Sequence, residues 1–121
     1  IDILDPRIIN IQINFVANVD YTQDKLEALN AAITEIENMF EAKLDIGQPI
    51  YITKIYDVLN NLEEIVDVTS VKITNQSGGL YSDEMLNLKE YISADGRILY
   101  VPNNTVYELK YSNLDIKGTI R

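Results

Sequence analysis

Between residues 8 and 18 the chain alternates. Ile9, Ile11, Ile13, Phe15 and Ala17 hold one phase, and Asn10, Gln12, Asn14 and Val16 hold the other. A period of two sends successive side chains to opposite faces, so this segment predicts a strand with an apolar face and an amide-bearing face. Those amides can bond one another or a partner. The period then lengthens. Leu26, Leu29, Ile33, Ile36, Phe40 and Leu44 recur at spacings of three and four, which predicts an amphipathic helix over 23–44, begun by Thr22 or Asp20. Asp24 and Glu27 suit its positive N-terminal end, and Lys43 suits the other. Glu35, Glu37, Asn38 and Glu41 form the opposite, solvated face.

Gly47 can take positive φ and close that helix, and Pro49 forbids its continuation. Thr53 is a candidate cap for a second helix over 53–62, carrying Ile55, Val58, Leu59 and Leu62 at helical spacing. The β-branched residues Val66, Val68, Val71 and Ile73 follow at once and predict a strand over 65–74. Val66 and Val68 share one phase and Val71 and Ile73 the other. Either a bulge near Thr69-Ser70 reconciles them, or the strand is covered on both faces.

Residues 75–84 are loop-like, with Gly78-Gly79 as the flexible point. Leu86, Leu88, Tyr91 and Ile92 fit either a strand or an irregular arm. Asp95-Gly96 signals a turn. Strands are expected over 98–101 and 105–111, around Pro102-Asn103-Asn104, with Tyr107, Leu109 and Tyr111 on one face and Glu108 and Lys110 opposite. Residues 114–120 are weakly strand-like. The sum is an α+β domain of two layers, a mixed β-sheet with two helices packed on one face. It comprises a strand-helix-helix-strand half (1–74), a flexible loop (75–84) and a β-rich tail (85–121). All 121 residues fit a single domain.

Composition narrows the chemistry more than the fold. Hydrophobic residues make up 46%, enough for a real core, and no apolar run is long enough for a membrane span. The chain starts at Ile1 and is read as a C-terminal fragment of a longer protein. A net charge of −9 repels nucleic-acid phosphates and anionic membranes, so neither is an expected partner. The acidity is first a solubility device, and alternatively a face for a basic partner. Cysteine and histidine are both absent, which removes disulfides, thiolate chemistry, and the commonest general base and metal ligand.

No catalytic, cofactor-binding or metal-binding residue is therefore nominated. Glu63, Glu64 and Asp67 lie close in sequence but at an expected exposed turn. There, nothing would split their pKa values for acid–base work. No phosphate-cradling glycine loop or nucleophile elbow occurs. The triplets Asn75-Gln76-Ser77 and Asn103-Asn104-Thr105 are read as turn chemistry. Eight tyrosines are more suggestive. Tyr91, Tyr100, Tyr107 and Tyr111 cluster in the tail, either as ordinary strand packing or as a protein interface, where aromatic anchors concentrate binding energy.

The run IGQPIYIT (Ile46 to Thr53), the helix with Ile55, Tyr56 and Leu59, and the run VDVTSV (Val66 to Val71) resemble the C-terminal part of the baseplate wedge proteins of contractile-tailed phages, the J-like baseplate family. The tail, Asp95 to Arg121, looks like the end of the T4-like, inner-ring wedge subunits of that family. The likeness extends from about Ile9 to the end. Where many members carry Gly between this helix and strand, Glu63-Glu64 stand here. The resemblance implies a virion protein of the tail baseplate, made in the host bacterial cytoplasm. It would associate with itself, as dimer or ring, and with other wedge proteins, and would have no cofactor and catalyse no reaction. The alternative from a different class is a small regulatory or ligand-binding α+β module of a larger protein. It would require a pocket between sheet and helices.

Overall fold

The computed structural model describes residues 5–121. Strand β1 (Arg7–Asn18) is the spine of the molecule. Its apolar phase is buried, with Ile9, Ile11, Ile13 and Ala17 fully inaccessible. Helix α1 (Lys25–Met39), the two-residue strand β2 (Ile50–Tyr51), helix α2 (Ile52–Asn60) and strand β3 (Asp67–Gln76) follow. The second half adds a 3₁₀ turn (Leu88–Glu90), β4 (Ile98–Leu99), β5 (Thr105–Glu108), a single helical turn α3 (Ser112–Asp115) and β6 (Ile116–Ile120). This is an α+β domain with a mixed sheet and two helices packed against it, as the periodicities require. Among the described residues no helix is long and apolar enough to cross a membrane.

The main sheet is built around β1. On one side β3 runs antiparallel. On the other, β5 pairs with Arg7 to Asn10 and β6 with Ile13 to Ala17, both parallel. The tail thus returns twice to the same edge, leaving it between the two pairings for the α3 turn. Gly118 lies opposite Phe15, and a Cβ there would collide with the Phe15 ring. The glycine therefore makes room for the largest core side chain of β1.

The β3 register slips by one residue. Val16 faces Ser70 while the adjacent Ala17 faces Val68, leaving Thr69 unpaired. The bulge brings Val68, Val71 and Ile73 onto the buried face together, and resolves the phase conflict in the sequence. Val66 precedes the strand and is 68% exposed.

Several boundaries differ from the sequence-based expectation; β5, for one, stops at Glu108 instead of reaching residue 111. Helix α1 ends at Met39 instead of residue 44, because the Phe40 N–H is shared between the Ile36 and Glu37 carbonyls and the chain leaves the helix there. Leu44 keeps helical spacing to Phe40 without being helical. The cap of α1 is Asp24, whose carboxylate accepts from the Leu26 and Glu27 N–H groups. Its innermost stripe is Ala28, Ala32 and Ile36, flanked by Leu29 and Ile33, while Leu26 is 64% exposed. The small side chains let the helix approach the sheet closely, which a search for large apolar residues overlooks. Helix α2 begins one residue early, after Tyr51, and Thr53 lies inside its first turn instead of capping it.

A second, small sheet forms from β2 and β4, with Ile50 opposite Leu99 and Tyr51 opposite Ile98. Ile92 bridges to the far side of Leu99. The Asp95-Gly96 turn is present, with Gly96 at φ +74° and its N–H donating to Ser93.

Residues 77–87 form a strap anchored to β1 mainly by polar contacts. The Ser82 N–H donates to Asn10 Oδ1 at 2.6 Å, and Asn10 in turn donates to Glu108 at 2.9 Å. Asn75 accepts from the Leu86 N–H and donates to the Asn10 carbonyl. Arg7 pairs with Glu84 at 2.7 Å and donates to the Met85 carbonyl, while Lys110 donates to the Leu80 carbonyl. The amide phase of β1 is thus satisfied internally here, and Asn10 is 1% exposed.

Candidate interaction surface

The end of α1 determines the main surface feature. Released from the helix at Phe40, the chain runs to a turn in which the Asp45 N–H donates to the Gln48 side chain and the Gln48 N–H to the Asp45 carbonyl. Gly47 sits there at φ +79°, a conformation that strains any other L-residue, and its N–H donates to the Thr105 carbonyl at 2.9 Å. This bond ties the turn to β5 and lays Phe40, Lys43 and Leu44 alongside it. Between them opens a groove of about 380 Å³, lined by Phe40, Lys43, Leu44 and Val106 to Lys110. A second hollow of about 350 Å³ shares Phe40, Lys43, Leu109 and Lys110 and continues past Glu37, Glu41 and Ser112.

The backbone along this groove is an open sheet edge. The Arg7 N–H donates to the Asn104 carbonyl, which sets the phase of the parallel β1–β5 ladder. In that phase Val106 and Glu108 turn their peptide groups toward β1, while Thr105 and Tyr107 turn theirs away. Gly47 occupies the Thr105 carbonyl. The peptide N–H and C=O of Tyr107 have no partner among the described residues. Unpaired edge groups of this kind are a template for another strand.

The Tyr107 side chain is anchored. It is 1% exposed, and its hydroxyl donates to the Tyr100 carbonyl at 2.6 Å. Burial, with Tyr91 nearby, pushes its pKa up to about 12. Tyr107 is therefore a neutral hydrogen-bond donor at the floor of the groove, and its ring is not offered to a partner. Of the two readings of this tyrosine, strand packing holds for its side chain, which corrects its nomination as an aromatic interface anchor: a strand with one face on the core buries every second side chain, and Tyr107 faces Ile9 across the ladder.

The other three nominated tyrosines do not form one patch with it. Tyr111 lies beyond β5, half-buried, with its ring edge-on to Tyr81 at 5.6 Å and 78°. Tyr91 is half-buried against the core. Tyr100 is 51% exposed at the end of β4. Its exposed companion is Tyr51, which sequence reasoning left out and over which Lys54 sits at 5.1 Å. The alternation of buried Ile50 with exposed Tyr51 just after Pro49 was the available signal.

The sequence also gave no warning of Asp115. It is 2% exposed, accepts from the Tyr81 hydroxyl at 2.7 Å and from the Tyr111 N–H at 3.2 Å. The bond to Asp115, then burial, raises the Tyr81 pKa above its ordinary value. Together they latch the strap to the α3 turn. Glu63 is exposed and Glu64 half-buried in the turn after α2, and Asp67 is exposed as the first residue of β3. Among the described residues no group of three or more candidate ligands could hold a metal ion. Compared with known families and curated proteins, the chain matches no family model and has no significant curated relative.

Proposed function

We propose that this domain is an assembly module of a contractile phage tail baseplate, which binds copies of itself and other wedge proteins and holds them at fixed angles. The observation that carries the reading as a binding module is the open β5 edge at Tyr107 beside an apolar groove. An edge of this kind, left unpaired next to apolar surface, is costly in isolation and suits a chain that meets a partner. The baseplate assignment rests on the sequence resemblance, from which virion localisation and the ring of wedge subunits also follow as proposals. The mechanism is mechanical. A rigid mixed sheet presents a border, and contacts along it fix the orientation of a neighbour.

Sedimentation velocity of the purified domain, alone and with the remaining wedge proteins, tests this. Concentration-dependent self-association or a stable mixed complex is expected. A domain that stays monomeric and ignores those proteins refutes it. The groove also favours a second reading, a small-molecule module, since its volume lies within the usual range for ligand sites. A rise in melting temperature with a metabolite, without protein association, would select that reading.

A further inference from the structure

We propose that the strap over residues 77–87 is a hinged latch, which locks the crossover joining the two tail returns and through it holds the open β5 edge in shape. The crossover runs from Glu108, the last residue of β5, to Asp115, the residue before β6.

Three of the strap's bonds end on that crossover or lead to it. The Tyr81 hydroxyl donates to Asp115 Oδ1, and the other oxygen of the same carboxylate accepts from the Tyr111 N–H. Lys110 donates to the Leu80 carbonyl, with its ammonium 5.6 Å from the centre of the Tyr111 ring. The Ser82 N–H donates to Asn10 Oδ1, while the side-chain nitrogen of Asn10 donates to Glu108. Asn10 and Asp115 are the shared members, and they are 1% and 2% exposed. Water cannot replace a partner lost on the strap side, so the loss is felt on the crossover side as well.

Little apolar burial holds the strap down. Leu80 and Met85 are 75% and 58% exposed. Segments closed mainly by polar bonds open at lower free energy than the sheet beneath them. The backbone supplies the pivot. Gly78 and Gly79 stand at φ +79° and +58°, with open space where a Cβ would lie, so rotation there meets no neighbour. At the other end Leu88 is buried in the core and fixes the exit of the strap. The strap can therefore lift between a free hinge and a fixed root while β1 and β3 stay paired. Lifting removes the outer holds on residues 108–115 together. Glu108, Leu109 and Lys110 line the groove beside the unpaired Tyr107 backbone, so the edge loses order on that side. By linkage, any contact that favours the ordered edge favours the closed strap, whatever the partner is.

Amide hydrogen exchange of the isotope-labelled protein tests this. The strap reporters are the Ser82 and Leu86 N–H groups, held by Asn10 and Asn75. The crossover reporters are the Leu114 and Asp115 N–H groups, both held by the Tyr111 carbonyl. Tyr81→Phe removes one hydroxyl and keeps the ring against Tyr111. It should raise exchange about tenfold at both pairs of reporters, by a similar factor, with the β1–β3 ladder unchanged. Arg7→Gln frees the strap at its other end, at Glu84 and Met85. Among the described residues the Arg7 side chain makes no bond to the crossover, yet Leu114 and Asp115 should exchange about threefold faster. Acceleration confined to the neighbours of each replaced side chain, with Leu114 and Asp115 unmoved by Arg7→Gln, would overturn the proposal. Equal acceleration across the β1–β3 ladder would overturn it too, because strap and sheet would then open as one. Should Tyr81→Phe fail to fold, Arg7→Gln decides the matter alone.

Discussion

The two faces of β1 are both buried, by opposite means. One face is packed by Ile9, Ile11, Ile13, Phe15 and Ala17 against the helices. The other buries Asn10, which accepts from the Ser82 N–H of the strap and donates to Glu108, and Gln12, which donates to Asn14. Apolar burial is additive and forgiving, because any well-shaped hydrocarbon gains from leaving water. Polar burial is conditional, because each lost partner leaves a group that water can no longer satisfy. The first face therefore sets how stable the domain is. The second sets where one particular loop lies.

Four experiments probe that contrast, from the largest expected effect to the smallest. Phe15→Ala should cost about 3–5 kcal/mol in denaturant unfolding, the usual range for deleting a fully buried aromatic. Hydrogen exchange should then rise across the whole sheet. Gly118→Ala should cost about 2–3 kcal/mol, at the upper end for overpacking, since the ring it meets is itself confined. Adding Phe15→Leu should restore part of that loss. If it restores none, the clash lies elsewhere. Asn10→Ala should cost about 1–2 kcal/mol as the Ser82 N–H and the Glu108 carboxylate lose their partner. Its signature is local: faster exchange at Ser82 and Leu86 with the β1 amides still protected. Global exchange in this variant would show that both faces answer to one cooperative unit.

The smallest effect is a pH dependence. The folded-state pKa of Tyr107 is raised from the ordinary 10.0 to about 12, so folding disfavours its ionised form. The associated stability is fully present below pH 10.0 and is lost as pH rises toward 12. Tyr107→Phe should remove part of that alkaline slope and, near neutrality, cost about 1 kcal/mol for the lost bond to Tyr100. An unchanged slope would assign the alkaline loss to other groups.

The same contrast explains what could be read from the sequence. Strand β1, both helices, the β3 bulge and the Asp-Gly turn were legible because periodicity and turn chemistry are local. The end of α1 was not. Leu44 keeps the spacing of the stripe after the helix has stopped, and its packing imitates another turn. The Ala28-Ala32 stripe was hidden by its size. The strap was legible as a loop, but its placement depends on Asn10, Asn75 and Asp115 finding donors and acceptors far along the chain. No pattern within a window reports such pairings. The four tyrosines do not share one patch, for a related reason. Composition flagged all four, but register alone decides that Tyr107 points inward while Tyr100, after a different turn, points out. The groove could not be foreseen, because it arises from an early helix stop meeting a late strand.

The double return of the tail to β1 has a kinetic consequence. The strand nearest the N-terminus keeps one flank bare until β5 and β6, separated from it by most of the polypeptide, come back to fill it. Contacts so distant in sequence form late, because loop closure comes before any reward. During synthesis β1 and β3 with α2 can assemble first, while α1 waits for β6, its main packing partner, exposing the apolar row of a half-built sheet to whatever is nearby. Self-protection therefore arrives only with the last strand, and ribosomal pausing or chaperone capture before residue 116 should govern the yield of folded protein.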